Sequence, residues 1–156
     1  MTEEREKVLV IPCSGVGKVH GLLSREAAYL VVDELASDET QVVCLALLVK
    51  GDEETLATVR SRPCIAIDGC GKACAKTNVE LAGGKVAQAL QVGRFLAAHR
   101  GAQPGSGSEL TDEGWSITRE IAEAVAEETE RLRGAPRSAE GGEEVDGPMP
   151  LFIGGA

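Results

Sequence analysis

The residues able to do chemistry in this chain are its five cysteines, Cys13, Cys44, Cys64, Cys70 and Cys74. Two of them stand four positions apart in "IDGCGKACAK", residues 67–76, directly after a short apolar run and behind an aspartate and a glycine. Thiolates bind zinc, hold iron–sulfur clusters and act as the nucleophiles of thiol exchange. Structural disulfides are uncommon in a reducing compartment, so metal, redox chemistry and plain packing are the readings open to these thiols.

Whether the thiols meet depends on the elements that carry them. Residues 8–12, "VLVIP", are short and β-branched, as in a buried strand, and "SGVGKVHG" follows as a loop. Apolar residues at 22, 23, 27, 30, 31 and 35 fall at helical spacing. Residues 41–49, "QVVCLALLV", contain a second strand whose last residues pass into a loop or helix. Asp52 opens a short helix that Pro63 ends, and "CIAID", residues 64–68, is a third strand. A helix from about Cys70 should stop at Gly83-Gly84, and residues 86–92 form a weaker fourth strand. A long amphipathic helix is expected over residues 111–133. Strands alternating with helices predict parallel pairing, hence a three-layer α/β sandwich of the Rossmann or flavodoxin type, with about four mainly parallel strands. The domain is expected over residues 1–134, and residues 135–156, rich in Gly, Pro and Glu, form a flexible tail.

A parallel sheet delivers the carboxyl end of every strand to one edge, where ligand sites form. Cys13 directly follows the first strand, Cys44 lies within or at the end of the second, Cys70 follows the third, and Cys74 is one helical turn further on. Four thiols are thereby predicted on one rim. Tetrahedral zinc needs sulfurs roughly 3.8 Å apart, and helical positions i and i+4, with Cβ atoms about 5–6 Å apart, are near enough to share a cation. Gly69 is read as the sharp turn out of the strand and Asp68 as the cap of the helix. A helix N-terminus with Lys18, Lys72 and Lys76 nearby favours thiolate over thiol and offsets the charge of a thiolate-rich site.

"IPCSGVG", "CLA", "AIDGC" and the following "CAK" resemble the DGC-domain family, zinc-binding proteins named for the Asp-Gly-Cys motif, over about residues 8–92. The ordered set of four cysteines is far more specific than the tripeptide alone. The resemblance implies that Cys13, Cys44, Cys70 and Cys74 are the metal ligands, and it implies little about biological role. Cys64 departs from the family pattern and reads as a small buried hydrophobe at the start of a core strand.

Other motifs fail on chemistry. "PCSGVGKV" lacks the first glycine of a phosphate-binding P-loop, where Pro12 stands, and its magnesium-binding hydroxyl, where Val19 stands. A cysteine phosphatase loop would need an arginine at position 19. Gly15 and Gly17 nevertheless suit a small anion or a metal-bound ligand at a helix start. His20 is a fourth donor in the event that Cys44 points into the core, and His99 reads as a surface residue. The acidic positions of the long helix, Glu120 to Glu130, read as a solvated face on which Glu127 and Arg131 can pair.

Composition sets the outer bounds. A net charge of −9 and a pI near 4.8 leave no basic stripe for nucleic acid. The start of the sequence lacks the basic leader and long apolar core of a signal peptide, and no run approaches a membrane span, so the expected location is the cytoplasm. With 43% hydrophobic residues the chain has enough core to fold without a metal. The expectation is therefore a zinc site that binds, carries or transfers something, in metal or sulfur handling, with an unidentified small molecule or protein partner. The alternatives are a thiol redox enzyme or persulfide carrier and an iron–sulfur protein, and the spacing does not separate zinc from iron.

Overall fold

Val8, Leu9, Val10 and Ile11 are all buried, and this run forms the inner strand β1, Val8–Pro12. In the computed structural model, which describes residues 5–134, β1 lies between β2, Thr40–Val42, and β3, Pro63–Asp68, and β4, Lys85–Gln91, closes the far side. Every pairing is parallel and the order is β2-β1-β3-β4. Among the described residues six α-helices connect or flank the strands: α1 Val19–Leu30, α2 Leu45–Lys50, α3 Glu53–Ser61, α4 Cys74–Leu81, α5 Val92–Ala98 and α6 Asp112–Gly134. This is the expected α/β sandwich, of flavodoxin-like arrangement.

Alternation along the strands divides the core in two. Val8, Val10, Ile65, Ile67 and Leu90 face Leu23, Ala27 and Val31 and, from α6, Ile117, Ile121 and Val125. Leu9, Ile11, Cys64 and Ala66 face Leu48, Val59, Ala75 and Val79 on the other side. Each large side chain fully buried in this way contributes about 1.5–3 kcal/mol.

Three boundaries differ from the sequence expectation. The apolar run over 41–49 is split: only Thr40–Val42 is strand, and Leu45–Lys50 is a helix that buries Leu45 and Leu48, three apart, and ends on Gly51 at φ 82°. The helix after β3 begins at Cys74 rather than Cys70, because Ala73 sits at φ 49° and interrupts helical backbone. Residues 92–98 form α5, whose apolar Val92, Phe95 and Leu96 stand at helical spacing immediately behind a strand. The expected stop at Gly83-Gly84 is present, with Gly83 at φ 84°. Helix α1 runs on into a wider turn, Val31–Leu35, where the Ala36 N–H reaches the Val31 carbonyl five residues back at 2.8 Å. The tail expected over 135–156 lies outside the described residues. Among the described residues no helix is long and apolar enough to cross a membrane.

Candidate functional site

From β1 the chain goes to the outer strand β2 and then returns across the sheet to β3, so the order reverses between β1 and β3. In open parallel sheets that switch point opens a crevice at the carboxyl edge. Here the crevice is walled by the loop after β1, which begins with Cys13, and by the segment after β3, residues 69–73. The two are tied by hydrogen bonds: the Cys13 N–H donates to the Ile67 carbonyl at 2.9 Å and the Gly69 N–H to the Cys13 sulfur at 3.2 Å.

Between them lies a cavity of about 160 Å³, with Cys13, Lys18, His20, Asp68, Cys70 and Cys74 in its wall. Glycines make the close approach possible. A Cβ on Gly15, which sits at φ 41°, would come within 2.1 Å of the Gly21 Cα, so the loop lies directly against the first turn of α1. A Cβ on Gly69 would stand 3.0 Å from the carbonyl carbon of His20. Gly69 is therefore required for this close approach to α1, and the left-handed residue of the segment is Ala73.

Asp68 acts as expected for a cap, though on a helix that starts later than expected. Its two carboxylate oxygens accept from the Ala75 N–H at 2.7 Å and the Lys76 N–H at 3.0 Å. Burial pushes its carboxyl up, while those two N–H groups and the Lys76 charge pull it partly back. Ser24, which the sequence reading passed over, is buried and donates to the Ile67 carbonyl at 2.6 Å, fixing α1 to the end of β3. The signal was a lone hydroxyl on an otherwise apolar helix face.

Cys13 is only 8% exposed, and burial raises its thiol above the ordinary 9.0. Hydrogen bonds from Gly69 and Ser24 act against that shift, and the nearby charges of Asp68 and Cys70 add to it. Burial thus outweighs the thiolate-favouring surroundings anticipated for this edge, at least at Cys13. Cys70 is half-buried in the loop and Cys74 is exposed at the first position of α4. The expectation that Cys70 and Cys74 share one helix face is corrected by this: they approach the same cavity as a loop residue and a helix residue.

Cys44 is exposed and is the N-cap residue of α2. Its place on the rim follows from register, since Val42 pairs with Val10 and the Val43 N–H donates to the Val10 carbonyl at 3.0 Å. It is not in the cavity wall. Cys64 lies at the opposite, amino end of β3, fully buried, with its thiol pushed up to about 11 by burial and its sulfur 3.5 Å from the Arg62 carbonyl. His99 pairs with Glu120 at 2.9 Å, and on α6 it is Glu128, not Glu127, that meets Arg131.

Among the described residues no three His, Cys, Asp or Glu side chains already converge tightly enough to share a cation. The donor chemistry nevertheless fits a thiophilic metal, with three thiols and an imidazole around one cavity.

The comparisons with known proteins bear on the same segments. A family model described as DGC domain matches residues 9–115, which include the two crevice loops, α4 and Cys44. No curated protein and no solved structure matches the chain.

Proposed function

This chain belongs to the DGC domain family, and from that premise we propose that it binds a zinc ion at the carboxyl edge of its sheet. Cys13, Cys70 and Cys74 are the thiolate donors, with Cys44 and His20 the two candidates for the fourth position. The observation that carries this reading is that three cysteines, from the loop after β1 and the segment after β3, line one cavity at the switch point. Family membership supports it by the four-cysteine order over the matched residues.

Bound there, thiolate-held zinc supplies either a closed structural clamp or, with one position open, a Lewis-acid site for an incoming ligand. The chain's own groups prepare the site. The Gly69 N–H stabilises the Cys13 sulfur, Lys18 brings positive charge to the wall, and Asp68 holds the start of α4 so that Cys74 faces the cavity. Two buried clusters of apolar side chains support the fold on either side of the sheet. A metal at the edge is thus not needed as a staple, which favours a role in handling metal or sulfur over one in folding.

A second reading has one observation in its favour. Cys13 and Cys70 line the same cavity, so the metal-free pair suits thiol exchange or persulfide transfer. Elemental analysis of protein purified without added metal separates the readings. About one zinc per chain supports the first. Metal-free protein in which a single thiol reacts rapidly supports the second. A brown protein absorbing at about 400 nm with bound iron contradicts both in favour of a cluster.

A further inference from the structure

We propose that the turn of residues 105–110 is a positioning element of this crevice, acting through Gly107 to hold the loop after β1 in place. Resting on the crevice as the functional site, this role holds whichever ligand enters it.

The contact is backbone on backbone. A Cβ on Gly107 would stand 2.9 Å from the Gly17 carbonyl carbon and 3.1 Å from the Lys18 nitrogen. Gly17 and Lys18 end the loop that begins at Cys13, and Lys18 is both the N-cap residue of α1 and part of the cavity wall. The same loop is also pressed onto α1, where a Cβ on Gly15 would meet the Gly21 Cα at 2.1 Å. Residues 15–18 are thus held by two backbones, with the Lys18 N–H donating to the Gly15 carbonyl at 3.4 Å between them. A methyl group on Gly107 has only main chain to displace, so the turn or the loop must shift.

The turn is more firmly built than its share of the core requires. Gly105, Ser106, Ser108 and Glu109 are exposed, and within residues 105–110 only Leu110 packs against a core cluster. Hydrogen bonds supply the order that burial does not. The Ser106 N–H donates to the Glu109 carbonyl at 2.8 Å, and the Ser106 hydroxyl oxygen accepts from the Ser108 and Glu109 N–H groups at 3.2 Å each.

The base of the turn is fixed to α6. The Thr111 N–H donates to the Pro104 carbonyl at 3.0 Å, and the Glu113 carboxylate accepts from the Gln103 N–H at 2.6 Å. Ile117, Ile121 and Val125 anchor α6 in the core. A turn stapled to itself and mounted on a buried helix carries that helix's position to whatever its tip touches, and the tip touches the loop after β1. The family match, residues 9–115, runs through this turn and stops within the first turn of α6, so the turn belongs to the same unit as the crevice.

Alkylation rates test the role. Cys13 is 8% exposed and reports on the loop, whereas Cys64, fully buried at the amino end of β3, reports opening of the whole fold. Peptide mass mapping reads both rates on the reduced full chain with chelator present, for wild type and three variants. Gly107→Ala overpacks the contact, Ser106→Ala removes the acceptor of two N–H groups without adding bulk, and Gly93→Ala adds a Cβ that meets nothing within 4 Å. G107A and S106A are expected to speed Cys13 alkylation about tenfold by local opening, with Cys64 unchanged and G93A like wild type. A Cys13 rate unchanged in both variants, or Cys13 and Cys64 accelerated by the same factor, would overturn the proposal. Because every rate is read without metal, wild type that takes up no zinc overturns the zinc reading alone.

Discussion

The Gly69 N–H donates to the Cys13 sulfur at 3.2 Å across 56 positions of sequence. That bond ties the loop after β1 to the turn after β3, the two chain segments that wall the crevice. It exists because Gly69 has no side chain to hold the turn away from α1, where a Cβ would lie 3.0 Å from the His20 carbonyl carbon and 3.1 Å from the Gly21 nitrogen.

Gly69→Ala is accordingly expected to destabilise the fold by about 1–3 kcal/mol through overpacking against backbone, and to displace Cys70 from Cys13. Urea unfolding measures the first effect and zinc affinity the second. A variant as stable as wild type with full affinity would show that the close approach is dispensable.

Asp68→Ala leaves the Ala75 and Lys76 N–H groups without their acceptor at a buried helix start. A loss of about 2 kcal/mol in unfolding free energy is expected, with Asp68→Asn recovering part of it. Equal stability of D68A and wild type in denaturant titrations would contradict the capping role.

The same two residues show what the sequence made legible. Asp68 as a cap, Gly83-Gly84 as a stop, the long helix and the α/β class all followed from spacing and strand direction, and of the four cysteines expected on one rim Cys13, Cys70 and Cys74 line one cavity while Cys44 stands outside its wall. Local periodicity failed where tertiary contacts decide the conformation. Nothing in "DGCGKAC" announces that Ala73 takes a left-handed conformation and delays α4 to Cys74, since that depends on Asp68 reaching forward to Ala75. The run "VVCLALLV" reads equally as strand or helix until Leu45 and Leu48 are buried in one cluster with Leu9, Ile11, Ala75 and Val79. The closeness of His20 to the turn at Gly69 is not legible either, because only the fold presses α1 against that turn.

Cys64 allows a test by pH. Burial raises its thiol from 9.0 to about 11, so the folded protein holds that proton more tightly than the unfolded chain. The resulting stability is fully present below pH 9 and is lost as pH rises through about 11, to a limit of about 3 kcal/mol. Cys64→Ala should lose about 1 kcal/mol at neutral pH and show a smaller decline between these limits. Parallel pH profiles for C64A and wild type, from urea unfolding at each pH, would contradict the assignment.

The central claim is that thiols gathered at the switch point grip one cation, and metal content of the cysteine variants tests it most directly. Protein purified without added metal should carry about one zinc per chain, falling well below that in Cys13→Ser, Cys70→Ser and Cys74→Ser and unchanged in Cys64→Ser. Wild type free of zinc, or Cys64→Ser as depleted as Cys70→Ser, would contradict the account.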